Sequence, residues 1–388
     1  MTLQLDAQSL LAGAQRRTGL DDFGDPTLPG RVELVVDRLL GAGMDDAGCH
    51  AAAEVCDHLL TSRLQFFNDH KRYRGLADEV IEQPVFVTGE PRSGTTLMHA
   101  LLAADPSART LRFWHVMYPS PPPGVTDNNS DRHKQADDDW RDINRRIPKW
   151  LACHPYNDML GDGLPECERT WAFDFRMLTP TAWWRVPMGM TIGGLPADFD
   201  AQYRIHRMTL QQGQFRLPQR QWVLKGFHGP RLRAFFDTYP DARMIWMHRD
   251  PVQLIASRIA MAMALTEGLV GHAKLEEQAA IHLAAARASL AATLANPLVD
   301  DPRILHCRYQ DFVADPIATA RQFYAFCERP FTAAAEQAMQ QYLQTNRSDR
   351  YGRFHYSTDM IGHDEAQLHT EFEPYRARFG VDIEHRQR

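Results

Sequence analysis

Gly89 and Gly94, five positions apart, enclose Glu90, Pro91, Arg92 and Ser93, and Thr95-Thr96 follows. Glycine lets a backbone approach a ligand closely, hydroxyls donate hydrogen bonds, and arginine presents a fixed cationic fork, so this spacing suits an anion. The apolar run Val85-Phe86-Val87 precedes it, and an amphipathic pattern starts at Thr95. A strand, a tight loop and a helix in that order aim the helix's unpaired N–H groups and the positive end of its dipole at one point. With Ser93, Thr95 and Thr96 as further donors, the loop is expected to hold a nucleotide phosphate. The ATP and GTP loop reads G-x-x-x-x-G-K-[ST], with its lysine on the β- and γ-phosphates. Here the two glycines have that spacing, but Thr95 stands in place of the lysine. That argues against moving a γ-phosphate and for a nucleotide held while another group is transferred. The plainer alternative is an ordinary turn between strand and helix with no ligand.

Other residues with reactive side chains fall where apolar runs end. Lys225 and His228 close the run that starts at Gln221. Arg249 and Asp250 follow the run from Arg243 to Met247, and Ser257 lies eight residues after Arg249 on a helix opening at Pro251. Apolar residues three and four apart predict helices over 95–104, 201–217, 231–238 and 275–295, and a last strand over 303–307. Strands alternating with helices imply a parallel sheet with right-handed crossovers, which binds ligands at the carboxyl ends of its strands. Glu90 to Arg92, Lys225 to His228, and Arg249 with Asp250 all belong to such ends. The expected fold is therefore α/β, a P-loop-like three-layer sandwich with a central parallel sheet flanked by helices. Residues 1–83 read as a helical segment packed on this core. Residues 84–388 read as the α/β domain, with an aromatic-rich insertion at about 112–200. The proline run 121–123 excludes helix locally, and residues 127–142 read as an exposed helix start or a loop.

The 388 residues are 44% hydrophobic and 24% charged, as in globular proteins. A net charge of -6 gives no reason to expect nucleic-acid binding. No uninterrupted apolar run reaches the length of a membrane span, and the N-terminal residues lack a secretory pattern. The six cysteines form no CxxC and no metal-ligand spacing, which fits reduced thiols in a cytoplasm. His99, His248 and His306 read as packed or orienting residues rather than ligands.

Taken in order, these motifs resemble the sulfotransferases that use 3′-phosphoadenosine 5′-phosphosulfate (PAPS), in particular a bacterial branch found in actinobacteria with P-R-[ST]-G-T-T in the loop. The resemblance covers roughly residues 84–356. It implies that Arg92, Ser93, Gly94, Thr95 and Thr96 hold the 5′-phosphosulfate, with Arg92 where animal cytosolic enzymes have lysine. It implies that Arg249 and Ser257 hold the 3′-phosphate, a group that ATP lacks. Arg350, in Arg350-Tyr351-Gly352-Arg353, resembles a basic segment that closes over the nucleotide. Lys225 would stabilise charge on the sulfuryl oxygens. For the base that takes the acceptor's proton, His228 resembles the family's histidine, with one residue more between it and Lys225. Glu90 is the second candidate, because some bacterial relatives use a glutamate there; Glu166, Glu168 and His115 are further ones. The implied product is 3′-phosphoadenosine 5′-phosphate (PAP), and no metal is required. The acceptor is a hydroxyl of a small molecule, lipid or glycan, and Trp114, Trp171, Trp183 and Trp184 hint at a bulky one. A nucleotide or small-molecule kinase with a related loop, or a non-catalytic nucleotide binder, are the alternatives. A homo-oligomer stays open.

Overall fold

A computed structural model describes residues 4–384 apart from 127, 179–182, 184–185, 188–194 and 348. Five mutually parallel strands form one sheet in the order β2-β3-β1-β4-β5: β1 Val85–Gly89, β2 Ala108–Arg109, β3 Gln221–Lys225, β4 Arg243–His248 and β5 Ile304–Arg308. Side chains alternate across its two faces, as the pleat requires. Phe86, Leu224, Met244 and Trp246 join one apolar cluster, and Val85, Val87, Val223, Ile245 and Met247 join another. Helices cover both clusters, so the expected three-layer α/β architecture is present. After β1 the chain runs to one side of the sheet, and at β4 it returns to the other side. The crevice at the carboxyl ends of β1 and β4 is thus the switch point where such sheets bind ligands.

The expected strands and helices are present with small shifts. β1 extends through Gly89, where the sequence pattern ended at Val87, because Thr88 and Gly89 still pair with Trp246 and Met247. The helix expected over 201–217 spans Phe199–Gln214, capped by Asp198, which accepts from the backbone N–H of Ala201. β2 had no signal in the sequence: two residues cannot show alternation, and only pairing with Gln221 and Trp222 defines it. The segment over 127–142 contains a full helix, Ser130–Arg146, held by pairs such as Arg146 with Asp142. The helix Pro251–Val270 has the length and mean hydropathy of a membrane span, but Gln253, Arg258 and Glu267 interrupt it, so it is not the uninterrupted apolar run that the sequence was expected to lack. Most of its side chains are buried against the sheet and its neighbours, which explains the composition.

The N-terminal segment folds as α1 Ala7–Thr18, α2 Leu28–Leu40 and α3 Asp46–Arg72. Asp6 and Asp45 cap α1 and α3 by accepting from the N–H groups of Ser9 and Gly48. Leu10, Leu28, Val32, Leu60 and Phe66 share one core with Phe173, Phe175 and Trp183 of the insertion. A buried ion cluster joins the same two parts. Asp174, 1% exposed, accepts from Arg63, Arg31 and Arg176, and Arg63 is itself fully buried. Removing one partner of such a cluster leaves an uncompensated charge in the interior. Asp174→Ala should therefore cost about 3–5 kcal/mol of stability, read as a lower urea midpoint; an unchanged midpoint would show that the cluster holds nothing together.

Candidate active site

The loop after β1 is shaped by its backbone. Arg92 has φ 79° and Gly94 φ 89°, and the turn closes where Ser93 N–H and Oγ donate to the Glu90 carbonyl at 3.1 and 2.7 Å. Gly94 is required on two counts. Its φ is left-handed, and a Cβ there would stand 2.8 Å from the Tyr309 ring. α4, Thr95–Ala103, starts immediately after, so its first N–H groups face a cleft of about 1680 Å³. Arg92, Gly94, Thr95 and Thr96 line that cleft. Ser93 is fully buried and spends its hydroxyl inside the loop, where the sequence suggested a ligand donor.

Arg92 does not point back along its own loop. Its Nε donates to Ser257 Oγ at 3.0 Å and its Nη1 to the Cys153 carbonyl at 3.2 Å. Arg249 Nη1 in turn donates to the Arg92 carbonyl at 2.9 Å. Arg92, Arg249 and Ser257, expected to serve two different phosphates, thus form one hydrogen-bonded group at the ends of β1 and β4. Arg249 also meets Glu384, whose carboxylate accepts from Nε and Nη2 at 2.9 Å each, and Tyr356 Oη at 3.0 Å. Nothing in the sequence pattern marked Glu384. It is one acid near the end of the chain, and only the fold carries it to β4.

The second cationic point is Lys225, 3% exposed at the end of β3. Its Nζ donates to Thr96 Oγ1 and to Glu166 Oε1, both at 3.0 Å. Lys225 pulls the Glu166 carboxyl down from 4.5 to about 2. Glu168, two residues on, behaves oppositely. Burial raises it above 4.5, although Arg231 opposes the shift. Its Oε1 accepts from the N–H of Phe227 and from Arg231, whereas Oε2 is buried without a partner among the described residues. Both carboxylates line the cleft.

His228 and Glu90 are placed elsewhere. His228 is fully buried among Phe86, Tyr203 and Phe235, with Nδ1 2.6 Å from Tyr203 Oη. Burial drives it well below 6.5 and keeps the ring neutral. It does not line the cleft; it approaches from behind Gly226, where an added Cβ would lie 2.7 Å from His228 Nε2 and 2.9 Å from Glu168 Oε2. Glu90, 4% exposed, turns away from the cleft to accept from Arg258 Nη1 at 3.0 Å and from Ser289 Oγ, which locks the loop to two helices. Burial raises its carboxyl, against the pull of Arg258. His115 Nδ1 accepts from the Arg112 N–H as part of a helix cap. Arg350 forms a two-point pair with Asp158 at 2.8 Å, while Arg353 and Phe354 of the same segment line the cleft. His99, His248 and His306 hydrogen-bond within the fold, as expected.

Of the tryptophans read as acceptor contacts, Trp171 and Trp183 are buried core residues, and Trp184 lies outside the described residues. The aromatic side chains that line the cleft instead include Phe113, Trp150, Tyr156, Phe227, Tyr309 and Phe354. An aromatic count along the sequence does not separate side chains that fill an insertion from those that face its cavity.

The model of the sulfotransferase family matches residues 84–333. Solved structures resemble the whole chain. A sulfotransferase from Mycobacterium avium is 25% identical, with a TM-score of 0.80, and the likeness covers 98% of each chain. A sulfotransferase from Mycobacterium tuberculosis is also 25% identical, with a TM-score of 0.75, covering 96% of this chain and 100% of that one. Comparison with curated protein sequences yields no match.

The Lys225–Glu166 pair has a measurable consequence. Because Lys225 is the largest cause of the depressed Glu166 carboxyl, Lys225→Met should let it titrate near or above 4.5 instead of about 2 in a carbon-detected NMR titration. The sign for stability follows. A depressed carboxylate stabilises the fold above its ordinary value of 4.5, and that share fades as pH falls toward 2. An unmoved Glu166 titration would assign the shift to another group.

Proposed function

The chain belongs to the sulfotransferase family, and from that premise we propose that it transfers a sulfuryl group from PAPS to a hydroxyl of a small-molecule, lipid or glycan acceptor. The observation that carries this reading is the joining of two anion sites in one cleft. The loop and first turn of α4 form one site, and Arg249 with Ser257 and Arg92 forms the other. A donor with phosphates at both its 5′ and 3′ positions matches that pair; a nucleoside triphosphate does not. The residues fit an oxyanion at the second site, since Arg249 already accepts a carboxylate there through two N–H groups.

In this reading Gly94, Thr95 and Thr96 hold the 5′ end through backbone N–H groups and hydroxyls. Arg249 and Ser257 hold the 3′-phosphate, and Arg92 joins them rather than the 5′ end, because its guanidinium sits on Ser257. When bound, the donor supplies an electrophilic sulfuryl group and a phosphate leaving group. Lys225, bonded to Thr96 beside the loop, places a cation where charge develops. Burial of Lys225 on a strand end makes that cation preorganised rather than mobile.

For the base we favour Glu168. Neighbouring carboxyls driven in opposite directions mark the pair that divides acid–base work. Glu166 is committed to Lys225, whereas Glu168 is raised, lines the cleft and keeps one buried oxygen without a partner among the described residues. A raised carboxyl is, in its ionised form, a better proton acceptor than an ordinary one. His228 then serves as a packed neighbour behind Gly226, and Glu90 as the anchor of the loop.

Two measurements test this assignment. Arg249→Ala should weaken PAP by about 2–3 kcal/mol, the scale of a hydrogen bond to a charged group, and leave adenosine 5′-phosphosulfate almost unaffected in calorimetry; equal losses would contradict the 3′ assignment. In an acceptor screen with labelled PAPS, kcat/KM should rise with pH on a limb above the ordinary carboxyl value of 4.5. Glu168→Gln should abolish that limb and lower kcat by roughly 10²–10⁴-fold. If Glu168→Gln keeps full kcat while His228→Ala loses it, the histidine is the base.

A further inference from the structure

The subsite at Arg249 already holds an oxyanion belonging to the protein. A guanidinium has five N–H donors. Four of Arg249's are committed: Nε and one Nη2 hydrogen to Glu384, the other Nη2 hydrogen to Tyr356, and one Nη1 hydrogen to the Arg92 carbonyl. One donor remains, whereas two-point recognition of a phosphate needs two parallel ones. A phosphate therefore reaches Arg249 in that manner only after the carboxylate has left.

Glu384 is held firmly but on a short tether. Its backbone N–H donates to Asp250 Oδ2 at 3.0 Å, and its carbonyl accepts from Gln253 Nε2 at 3.3 Å. Upstream the chain is fixed in the core. Tyr375 Oη lies 2.6 Å from His248 Nδ1, Phe379 stacks on His248 at 3.9 Å, and Val381 is buried. Between Val381 and Glu384 stand only exposed Asp382 and half-buried Ile383. Asp382, Ile383 and Glu384 can swing from Val381 without unpacking the buried residues that precede them.

We infer that Glu384 is a built-in competitor for the nucleotide 3′-phosphate. Carboxylate and phosphate exchange at Arg249, so the closed tail lowers affinity for 3′-phosphorylated nucleotides. The inference rests on the donor reading above. Its thermodynamics are those of a pre-equilibrium: apparent affinity is the intrinsic affinity scaled by the fraction of molecules with the tail open. Coupling is reciprocal, so bound PAP must also drive the tail open.

The experiment is calorimetry of PAP and of adenosine 5′-phosphosulfate with the full chain and with Glu384→Gln and Glu384→Ala, joined to hydrogen exchange at the Glu384 amide. If the tail is open in about one molecule in ten, both variants bind PAP about ten-fold tighter, with little change for adenosine 5′-phosphosulfate. In the unaltered protein, saturating PAP should remove the protection of the Glu384 amide, and adenosine 5′-phosphosulfate should not. Unchanged PAP affinity, or protection that survives PAP, overturns the competitor. Weaker PAP binding in the variants also overturns it, because Glu384 would then be positioning Arg249 for the phosphate. If neither the protein nor its variants bind PAP, the donor reading falls and the competitor with it. Equal PAP binding by all three proteins removes the competitor alone.

Discussion

One crosslink joins the two anion sites: Arg249 at the end of β4 donates to the carbonyl of Arg92 in the loop after β1. The two strands pair along their length, so Gly89 and Met247 already lie side by side. The guanidinium adds to the bonds from Arg92 to Ser257 and from Arg258 to Glu90, which set the height of the loop against the helix Pro251–Val270. With it, Arg92 is turned toward Ser257, and the first turn of α4 is left facing the cleft. The left-handed backbone at Arg92 is part of the same arrangement, since it turns that carbonyl toward Arg249. A strained loop of this kind persists only where its surroundings over-determine it. Here Glu90 supplies the second tether, through Arg258 and Ser289.

Electrostatics within the cleft divide similar residues into different roles. Glu166 and Glu168 are two positions apart in an irregular segment, yet the fold brings Lys225 to one and buries the other beside Arg231. Two histidines at the ends of strands, His228 after β3 and His248 closing β4, are both driven neutral by burial and both pair with a tyrosine hydroxyl. They organise the layers beneath the cleft: one joins β3 to the helix Phe199–Gln214, the other joins β4 to the C-terminal helix Glu373–Phe379. That second joint is what delivers the chain's last described residues to Arg249.

The helical N-terminal segment and the insertion stabilise each other. They share one apolar cluster: α1, α2 and α3 supply most of its residues, and Phe173, Phe175 and Trp183 of the insertion pack into it. Asp174 and its arginines sit at that junction. The insertion is thereby fixed on one side, while its opposite side presents Trp150, Glu166 and Glu168 to the cleft.

What the chain's own order determines is whatever depends on short-range spacing. Apolar periodicity marks β1, β3, β4 and the long helices, and Gly89, Gly94 and the missing lysine identify the kind of loop. The eight-residue interval from Arg249 to Ser257 is equally local, because a strand end and two turns of helix set their separation. The tertiary structure alone decided which way side chains face. Glu90 and His228 stand next to the right motifs in sequence, but a strand end has an inner and an outer side, and both fell inside. Arg92 and Ser93 share a loop with Thr96, yet one reaches across to Ser257 and the other closes the turn. Glu384 lies 135 positions from Arg249, and no spacing along a chain encodes a contact of that range. It exists because Phe379 and Val381 are buried where they are, and burial is a property of the whole fold.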